Sequence, residues 1–321
     1  MSRQPTQRRH GWWTRGATAV AFAAVGVGVT VGVAFGIVAP ALPRDRGDGS
    51  DTATCPPQVS EFRHDGRSSQ VYTFDCAGGS TSTGAGSSGS SVGGSTFGSL
   101  GSSGSSGSST GGRTPPKGVL IHLHGDGADE FDHGANAEPT LGELARVAAS
   151  RNMVLIAPRT PDHRRGSTWW RRLDSNTDWL SALVADRVRD DPGLDTGNIW
   201  WSGYSGGAEM ISYGILCRTR GLVTGGALMM AGGGAPDEVD APDGPSSGVR
   251  DVPLRWSVGD LDDGTRGYDR FDALTAAREG AAWYRGRGAS DVTLEVLPGV
   301  AHLDFPQAET LNRVFDSALP S

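Results

Sequence analysis

Short apolar runs alternate with amphipathic runs through residues 118–319, and this alternation restricts the possible folds more than any other feature. The apolar runs are five to seven residues long, which is typical of buried strands, and the runs between them repeat hydrophobic residues at helical spacing. Strands that alternate with helices form a mostly parallel sheet with helices on both faces, so an α/β fold is predicted. The predicted strands span 118–124, 153–157, 198–202, 225–230, 254–258 and 292–297, and the predicted helices span 140–151, 178–189, 208–217, 270–285 and 307–319.

The amino-terminal end has the composition of an export segment. Residues 1–16 contain four arginines and no acidic residue, and residues 16–43 contain no charged residue. At a rise of 1.5 Å per residue, the apolar run 17–39 is long enough to cross a bilayer core of about 30 Å. It is either a transmembrane anchor with residues 1–16 in the cytoplasm or the apolar region of a cleaved signal peptide, and its length favours the anchor. Either alternative places the chain from residue 44 onward outside the cytoplasm, membrane-anchored or secreted.

Residues 51–321 are expected to form one domain that contains a long insertion. The insertion, residues 77–112, consists almost wholly of Gly, Ser and Thr. Such a segment buries no apolar area and is predicted to be a disordered coil. The piece that precedes it is too short to fold alone, so the insertion is interpreted as a loop within the domain rather than a linker, at little entropic cost.

Two cysteines flank a predicted hairpin. Two short strand-like runs within residues 59–74 surround Asp65-Gly66, which favours a tight turn. The turn would bring Cys55 and Cys76 together, and outside the cytoplasm such a pair is expected to form a disulfide.

Charge and composition exclude several classes of function. There are 29 Lys and Arg against 36 Asp and Glu, a net charge of −7, which provides no basic field for nucleic acid. The three cysteines match no zinc-binding spacing. An acidic stretch after residue 128 is more typical of a solvated loop that caps the next helix than of a metal site. The sequence therefore predicts no metal, no cofactor and no nucleic-acid partner.

The sequence Gly203-Tyr204-Ser205-Gly206-Gly207 lies between a predicted strand and a predicted helix. A serine on a sharp strand-to-helix turn needs small neighbours, because the backbone is crowded there. Such a turn exposes Ser205 as a nucleophile and directs the Gly206 amide toward a developing oxyanion.

A second glycine turn follows the strand that ends at His124. In His122-Leu123-His124-Gly125-Asp126-Gly127, the amide of Asp126 or Gly127 is a candidate for the second oxyanion donor. His124 is expected to brace this loop through hydrogen bonds.

Two late loops supply an acid and a histidine. Asp260, Asp262 and Asp263 follow one predicted strand, and His302 follows the last. A serine hydroxyl becomes nucleophilic when a histidine accepts its proton and a carboxylate orients that histidine. The chain order of serine, acid and histidine at successive strand ends predicts a catalytic triad, with the acid left open among the three aspartates.

Residues 118–319 resemble the α/β-hydrolase superfamily in the His124-Gly125 turn, the elbow around Ser205, and the late Asp and His. The resemblance implies an α/β-hydrolase fold with the triad Ser205, Asp262 and His302. The family's acid commonly lies three residues beyond the glycine that ends its strand, which selects Asp262. Residues 167–205 are also similar to secreted esterases of the polyhydroxybutyrate-depolymerase and feruloyl-esterase type.

In those esterases a tryptophan-containing loop precedes the helix that leads to the nucleophile strand. Trp169 and Trp170, together with Tyr204, are therefore candidates for lining a substrate pocket, and core packing is the alternative for the two tryptophans. The predicted function is an extracytoplasmic serine hydrolase acting on a small-molecule or polymeric carboxylic ester. A peptidase of the same fold and a non-catalytic, membrane-anchored binding protein are the alternatives.

Overall fold

The computed structural model describes residues 55–76, 115–131, 140–163, 166–239, 244–266 and 270–319, which all lie in one compact unit, residues 53–321. The predicted basic end, anchor or signal segment, and Gly/Ser-rich insertion lie outside the described residues. Among the residues that are described, no helix combines the length and apolarity that a membrane span requires.

The strands form one eight-stranded sheet in the order β1-β2-β4-β3-β5-β6-β7-β8. Strands β3 to β8 pair in parallel, whereas β1 and β2 pair antiparallel with each other and β2 pairs antiparallel with β4. The mostly parallel sheet that the alternation predicts is confirmed. The strands are β1 (Gln58–His64), β2 (Arg67–Phe74), β3 (Lys117–Leu123), β4 (Met153–Pro158), β5 (Leu194–Tyr204), β6 (Gly226–Met230), β7 (Leu254–Gly259) and β8 (Val292–Leu297).

The predicted hairpin and its disulfide are both present. Asp65 and Gly66 have φ of 48° and 69°, the left-handed conformations that a two-residue hairpin turn needs. The antiparallel register then returns the chain so that Cys55 and Cys76 form a disulfide with a Cα–Cα distance of 5.4 Å.

Helices cover both faces of the sheet, because the side chains of each central strand alternate between two apolar cores. Val119 and Ile121 of β3 point into a core that contains side chains of α2, α3 and α5, whereas Leu120 joins a second core with α1 and α6. The helices are α1 (Thr140–Ala149), α2 (Leu173–Val184), α3 (Gly206–Met210), α4 (Leu216–Arg218), α5 (Ala273–Gly286) and α6 (Gln307–Ala318), and a π-helical turn (Ile211–Ile215) joins α3 to α4.

Candidate active site

Ser205 lies on the turn from β5 into α3, in the conformation that the elbow sequence predicts. Its φ of 50° and ψ of −118° are strained for a residue with a side chain. Its backbone N–H donates to the Met230 carbonyl at 2.9 Å, which ties the turn to the end of β6. A Cβ on Gly203 would lie 2.6 Å from the backbone of Gly207, and a Cβ on Gly207 would clash with the Leu123 carbonyl oxygen. The glycines therefore permit the close packing that holds Ser205 at the strand end.

His302 stands on a short 3-10 turn (His302–Asp304) after β8 and bridges the other two residues of the predicted triad. Its Nε2 lies 2.9 Å from the Ser205 Oγ, and its Nδ1 lies 2.7 Å from Asp262 Oδ2. The carboxylate is an acceptor, so Nδ1 carries the proton and Nε2 accepts from the serine hydroxyl. The Asp262 side chain is 4% exposed and that of His302 is 20% exposed. The result is a continuous hydrogen-bonded chain from a buried carboxylate to a serine at the strand ends.

The three candidate acids have three different partners. Asp262 is the one that reaches His302. Asp260 Oδ1 accepts from the Gly299 N–H at 2.7 Å and so caps the loop that carries His302. Asp263 accepts from the hydroxyl and N–H of Thr265, and these hydrogen bonds lower the pKa of its carboxyl. Asp260 and Asp263 thus shape the surrounding loops, and only Asp262 has the geometry of a triad acid.

The candidate oxyanion donors lie against each other. The Gly206 N–H opens α3, where the first amides of a helix have no intrahelical acceptor. A Cβ on Gly206 would lie 3.4 Å from the Asp126 amide nitrogen. The Gly127 N–H donates instead to the carbonyls of Gly166 and Ser167, at 3.1 and 3.3 Å. Of the two amides that the sequence left open, the geometry therefore favours Asp126.

His124 braces the oxyanion turn. Its Nε2 accepts from the Thr160 N–H at 3.0 Å, so its Nδ1 carries the proton and donates to the Gly125 carbonyl at 2.6 Å. Burial lowers the pKa of His124 to about 3, so the ring stays neutral. The Gly125 N–H in turn donates to Glu130 Oε1 at 3.0 Å, and burial raises the pKa of that carboxyl.

His122 lies in β3, before the oxyanion turn, and has a structural role. Its Nδ1 lies 2.9 Å from Ser202 Oγ, and burial lowers its pKa to about 3 as well.

The three residues predicted to line a pocket have different environments. Trp169 is fully buried in the core, and its ring centroid lies 5.1 Å from that of His124. This environment corresponds to the core-packing alternative. Trp170 is partly exposed and its Nε1–H donates to Asp126 Oδ2 at 3.1 Å, beside the oxyanion turn. The Tyr204 hydroxyl donates to the His302 carbonyl at 2.6 Å, so this ring supports the histidine loop.

Glu209 is a further site residue that the sequence analysis missed. It is 5% exposed on α3, and its carboxylate oxygens accept from the N–H groups of Gly233 and Gly234 at 3.0 and 2.9 Å. These bonds hold the loop after β6 against the back of the elbow. An acidic residue within the apolar run 208–211, four positions after the nucleophile, was the available signal.

Several solved structures are similar to this chain. An acylaminoacyl peptidase of Pyrococcus horikoshii is 11% identical over 83% of this chain and 42% of that longer chain, with a TM-score of 0.52. A Bacillus cereus carboxylesterase is 20% identical over 63% of this chain and 89% of its own, with a TM-score of 0.49. A lidless α/β serine hydrolase of Xanthomonas campestris is 13% identical over 82% and 94%, with a TM-score of 0.46. No family model and no curated protein matches the chain.

At these identities the likeness concerns the fold. The chain has the α/β-hydrolase fold, in agreement with its mostly parallel sheet and with the position of the elbow at the end of β5.

Proposed function

We propose that this protein is an extracytoplasmic serine hydrolase that cleaves carboxylic esters with the triad Ser205, His302 and Asp262. The observation that carries the proposal is the continuous chain of hydrogen bonds through His302, at 2.9 Å to Ser205 and 2.7 Å to Asp262. Its supports are the strained backbone of Ser205 and the two candidate oxyanion amides beside it.

The geometry supports a two-step reaction. Ser205 Oγ attacks the ester carbonyl while His302 Nε2 takes the hydroxyl proton, and Asp262 stabilises the imidazolium through Nδ1–H. The amides of Gly206 and Asp126 donate to the oxyanion. The tetrahedral intermediate expels the alcohol, which receives the proton from Nε2, and leaves an acyl-serine. Water then attacks the acyl-serine, with His302 again as base, and releases the acid and free Ser205.

Two features support a location outside the cytoplasm. The Cys55–Cys76 disulfide is typical of an oxidising compartment. The uncharged residues 17–39 follow a basic end, as in membrane anchors and signal peptides. We propose that the anchor is retained, with secretion after cleavage as the alternative. Amino-terminal sequencing of the mature protein separates them, since a chain beginning near Leu42 would mean secretion.

The function is tested with chromogenic esters of increasing acyl length beside aminoacyl amides. Ester turnover that disappears in Ser205→Ala and persists in Ser290→Ala, a matched change at an exposed serine, supports the proposal. Turnover of the amides alone would instead indicate a peptidase. A folded wild-type protein with no Ser205-dependent turnover would indicate a binding protein.

A further inference from the structure

Hydrogen bonds join the loop after β7 to the loop after β8. Asp260 Oδ1 accepts from the Gly299 N–H at 2.7 Å, and the Leu261 N–H donates to the Val300 carbonyl at 3.1 Å. The first loop carries the candidate acid and the second carries the candidate base. These bonds therefore hold the acid and the base together, but they do not reach the turn between β5 and α3 that carries the nucleophile.

Tyr204 reaches from the nucleophile turn to the loop after β8. It is the last residue of β5, where it pairs with Met230 of β6, so it stands on a rigid part of the sheet. Its hydroxyl donates to the carbonyl oxygen of His302 at 2.6 Å. His302 begins a 3-10 turn of three residues after Ala301, whose side chain cannot cap that turn. The tyrosine thus holds the backbone of the histidine from outside its own loop.

The Tyr204 ring contacts both the oxyanion turn and the histidine loop. A Cβ on Gly125 would lie 2.9 Å from the ring atom Cδ1, so the backbone of the oxyanion turn packs directly on the ring. The ring centroid lies 5.2 Å from that of His302 and 6.4 Å from that of Phe305. These contacts belong to the ring and not to the hydroxyl, so a phenylalanine at this position would keep them.

We propose that Tyr204 is a positioning residue, whose hydroxyl sets the place of His302 Nε2 relative to Ser205 Oγ, and that it does not bind the substrate. The inference rests on the proposed hydrolase function and assigns this tyrosine a role in it other than pocket lining. Nε2 lies 2.9 Å from Oγ, and a proton transfer depends steeply on such a distance. Without the hydroxyl, the histidine loop keeps its bonds to the acid loop but loses this bond to the nucleophile turn.

The kinetic test is Tyr204→Phe with 4-nitrophenyl acetate, butyrate and octanoate. The expected kcat is about 10- to 100-fold lower, by the same factor for all three esters and with KM unchanged, because both steps of the reaction use His302. A contact with the substrate would instead raise KM or give a factor that changes with acyl length. Either of those results, or a kcat within about threefold of the wild type, overturns the inference and leaves the proposed function intact.

Tyr284→Phe is the matched control. The Tyr284 hydroxyl also donates to a backbone carbonyl, that of Ser212 at 2.5 Å, but this tyrosine is fully buried on α5. The control is expected to lower the melting temperature at least as much as Tyr204→Phe and to keep the wild-type kcat. An equal loss of kcat in both variants would show a general effect of destabilisation and would overturn the inference.

A spectroscopic test is independent of turnover and uses ¹⁵N NMR of histidine-labelled protein, with His302→Ala to assign the signals. Ser205→Ala and Asp262→Asn give the reference spectra of the ring without its hydroxyl partner and without its carboxylate partner. Tyr204→Phe is expected to move the Nε2 signal toward that of Ser205→Ala and to keep the downfield resonance of the Nδ1–H proton. An Nε2 signal at the wild-type position, or loss of the Nδ1–H resonance, overturns the inference whether or not an ester is hydrolysed.

Discussion

Histidines lie at the carboxyl ends of two strands of the same sheet, β3 and β8, and differ in burial and in hydrogen-bond partners. His122 and His124 at the end of β3 are completely buried, whereas the His302 side chain after β8 is 20% exposed. Both ring nitrogens of His124 are committed to backbone groups, at Gly125 and Thr160. Those of His302 face two side chains, a hydroxyl and a carboxylate.

The difference shows that burial and the kind of partner decide what a histidine does. Burial lowers the pKa of His122 and His124 to about 3, so they act as neutral braces. His302 lies between Ser205, which gives up a proton, and Asp262, which stabilises the protonated ring. A proton shuttle requires this arrangement. Substitutions at these histidines and at their partners test this contrast.

Replacing His302 should remove activity and leave the fold. His302→Ala is expected to lower kcat for a chromogenic ester by about 10⁴-fold or more, because no other base reaches Ser205 within the residues that the structure describes. Its melting temperature should stay close to that of the wild type. His124→Ala should reverse the pattern and reduce the yield of folded protein, because it removes the brace between Gly125 and Thr160. Near-normal turnover by His302→Ala would show that His302 is not the base for Ser205.

The three aspartates near His302 should separate in the same assay. Asp262→Asn is expected to lower kcat by roughly 10³–10⁴, since it keeps the shape but removes the charge that stabilises the imidazolium. Asp260→Asn and Asp263→Asn should stay within about tenfold, because these residues cap loops and do not contact His302. If Asp260→Asn loses activity while Asp262→Asn keeps it, the triad acid is Asp260 and the assignment to Asp262 is wrong.

The buried histidines should make the protein sensitive to acid. Both have folded-state pKa values of about 3 against an ordinary 6.5, so below pH 6.5 the unfolded chain binds protons that the folded state does not. Their stabilisation is complete above pH 6.5 and is lost as the pH falls toward 3. At pH 4.5 the combined loss is on the order of 5 kcal/mol.

Denaturant titrations between pH 7 and 4.5 measure that loss. His122→Asn preserves a hydrogen-bonding group for Ser202. It should reduce the slope of the unfolding free energy against pH by about 1.4 kcal/mol per pH unit. An unchanged slope in this variant would show that His122 does not stay neutral in the fold.

The disulfide should affect stability but not catalysis. The hairpin of β1 and β2 occupies the sheet edge opposite β8, away from His302. Cys55→Ser/Cys76→Ser is expected to cost about 3 kcal/mol in the free energy of unfolding, with kcat unchanged. Denaturant titration and ester turnover on the same preparation check both, and a large loss of kcat would connect the hairpin to the site.

Much of the fold followed from the sequence because buried strands and amphipathic helices carry strong periodic signals. The predicted ends of strands and helices were wrong where polar residues lie inside regular structure. β5 begins at Leu194, before exposed polar residues, and not at 198. α2 begins at Leu173, and not at 178, since Asn176 and Thr177 are buried with backbone partners that no hydrophobic pattern reveals.

The site was predictable in its residue types and less so in its details. Spacing placed Ser205 and His302 at strand ends, but three aspartates within four positions were separable only by the partners of their oxygens. Trp169 and Trp170 are adjacent and chemically identical, so only the fold distinguishes the core side chain from the one that touches Asp126. Glu209 was missed because its partners are backbone amides of a distant loop.

Labelling with a fluorophosphonate, followed by peptide mapping, tests directly whether Ser205 is a nucleophile activated by His302. A serine activated by His302 should form a stable phosphonate ester at Ser205 within minutes. The adduct should be absent from Ser205→Ala and greatly slowed in His302→Ala, while His122→Asn labels at the wild-type rate. A folded wild-type protein that remains unlabelled, or an adduct mapped to a different serine, would contradict the account.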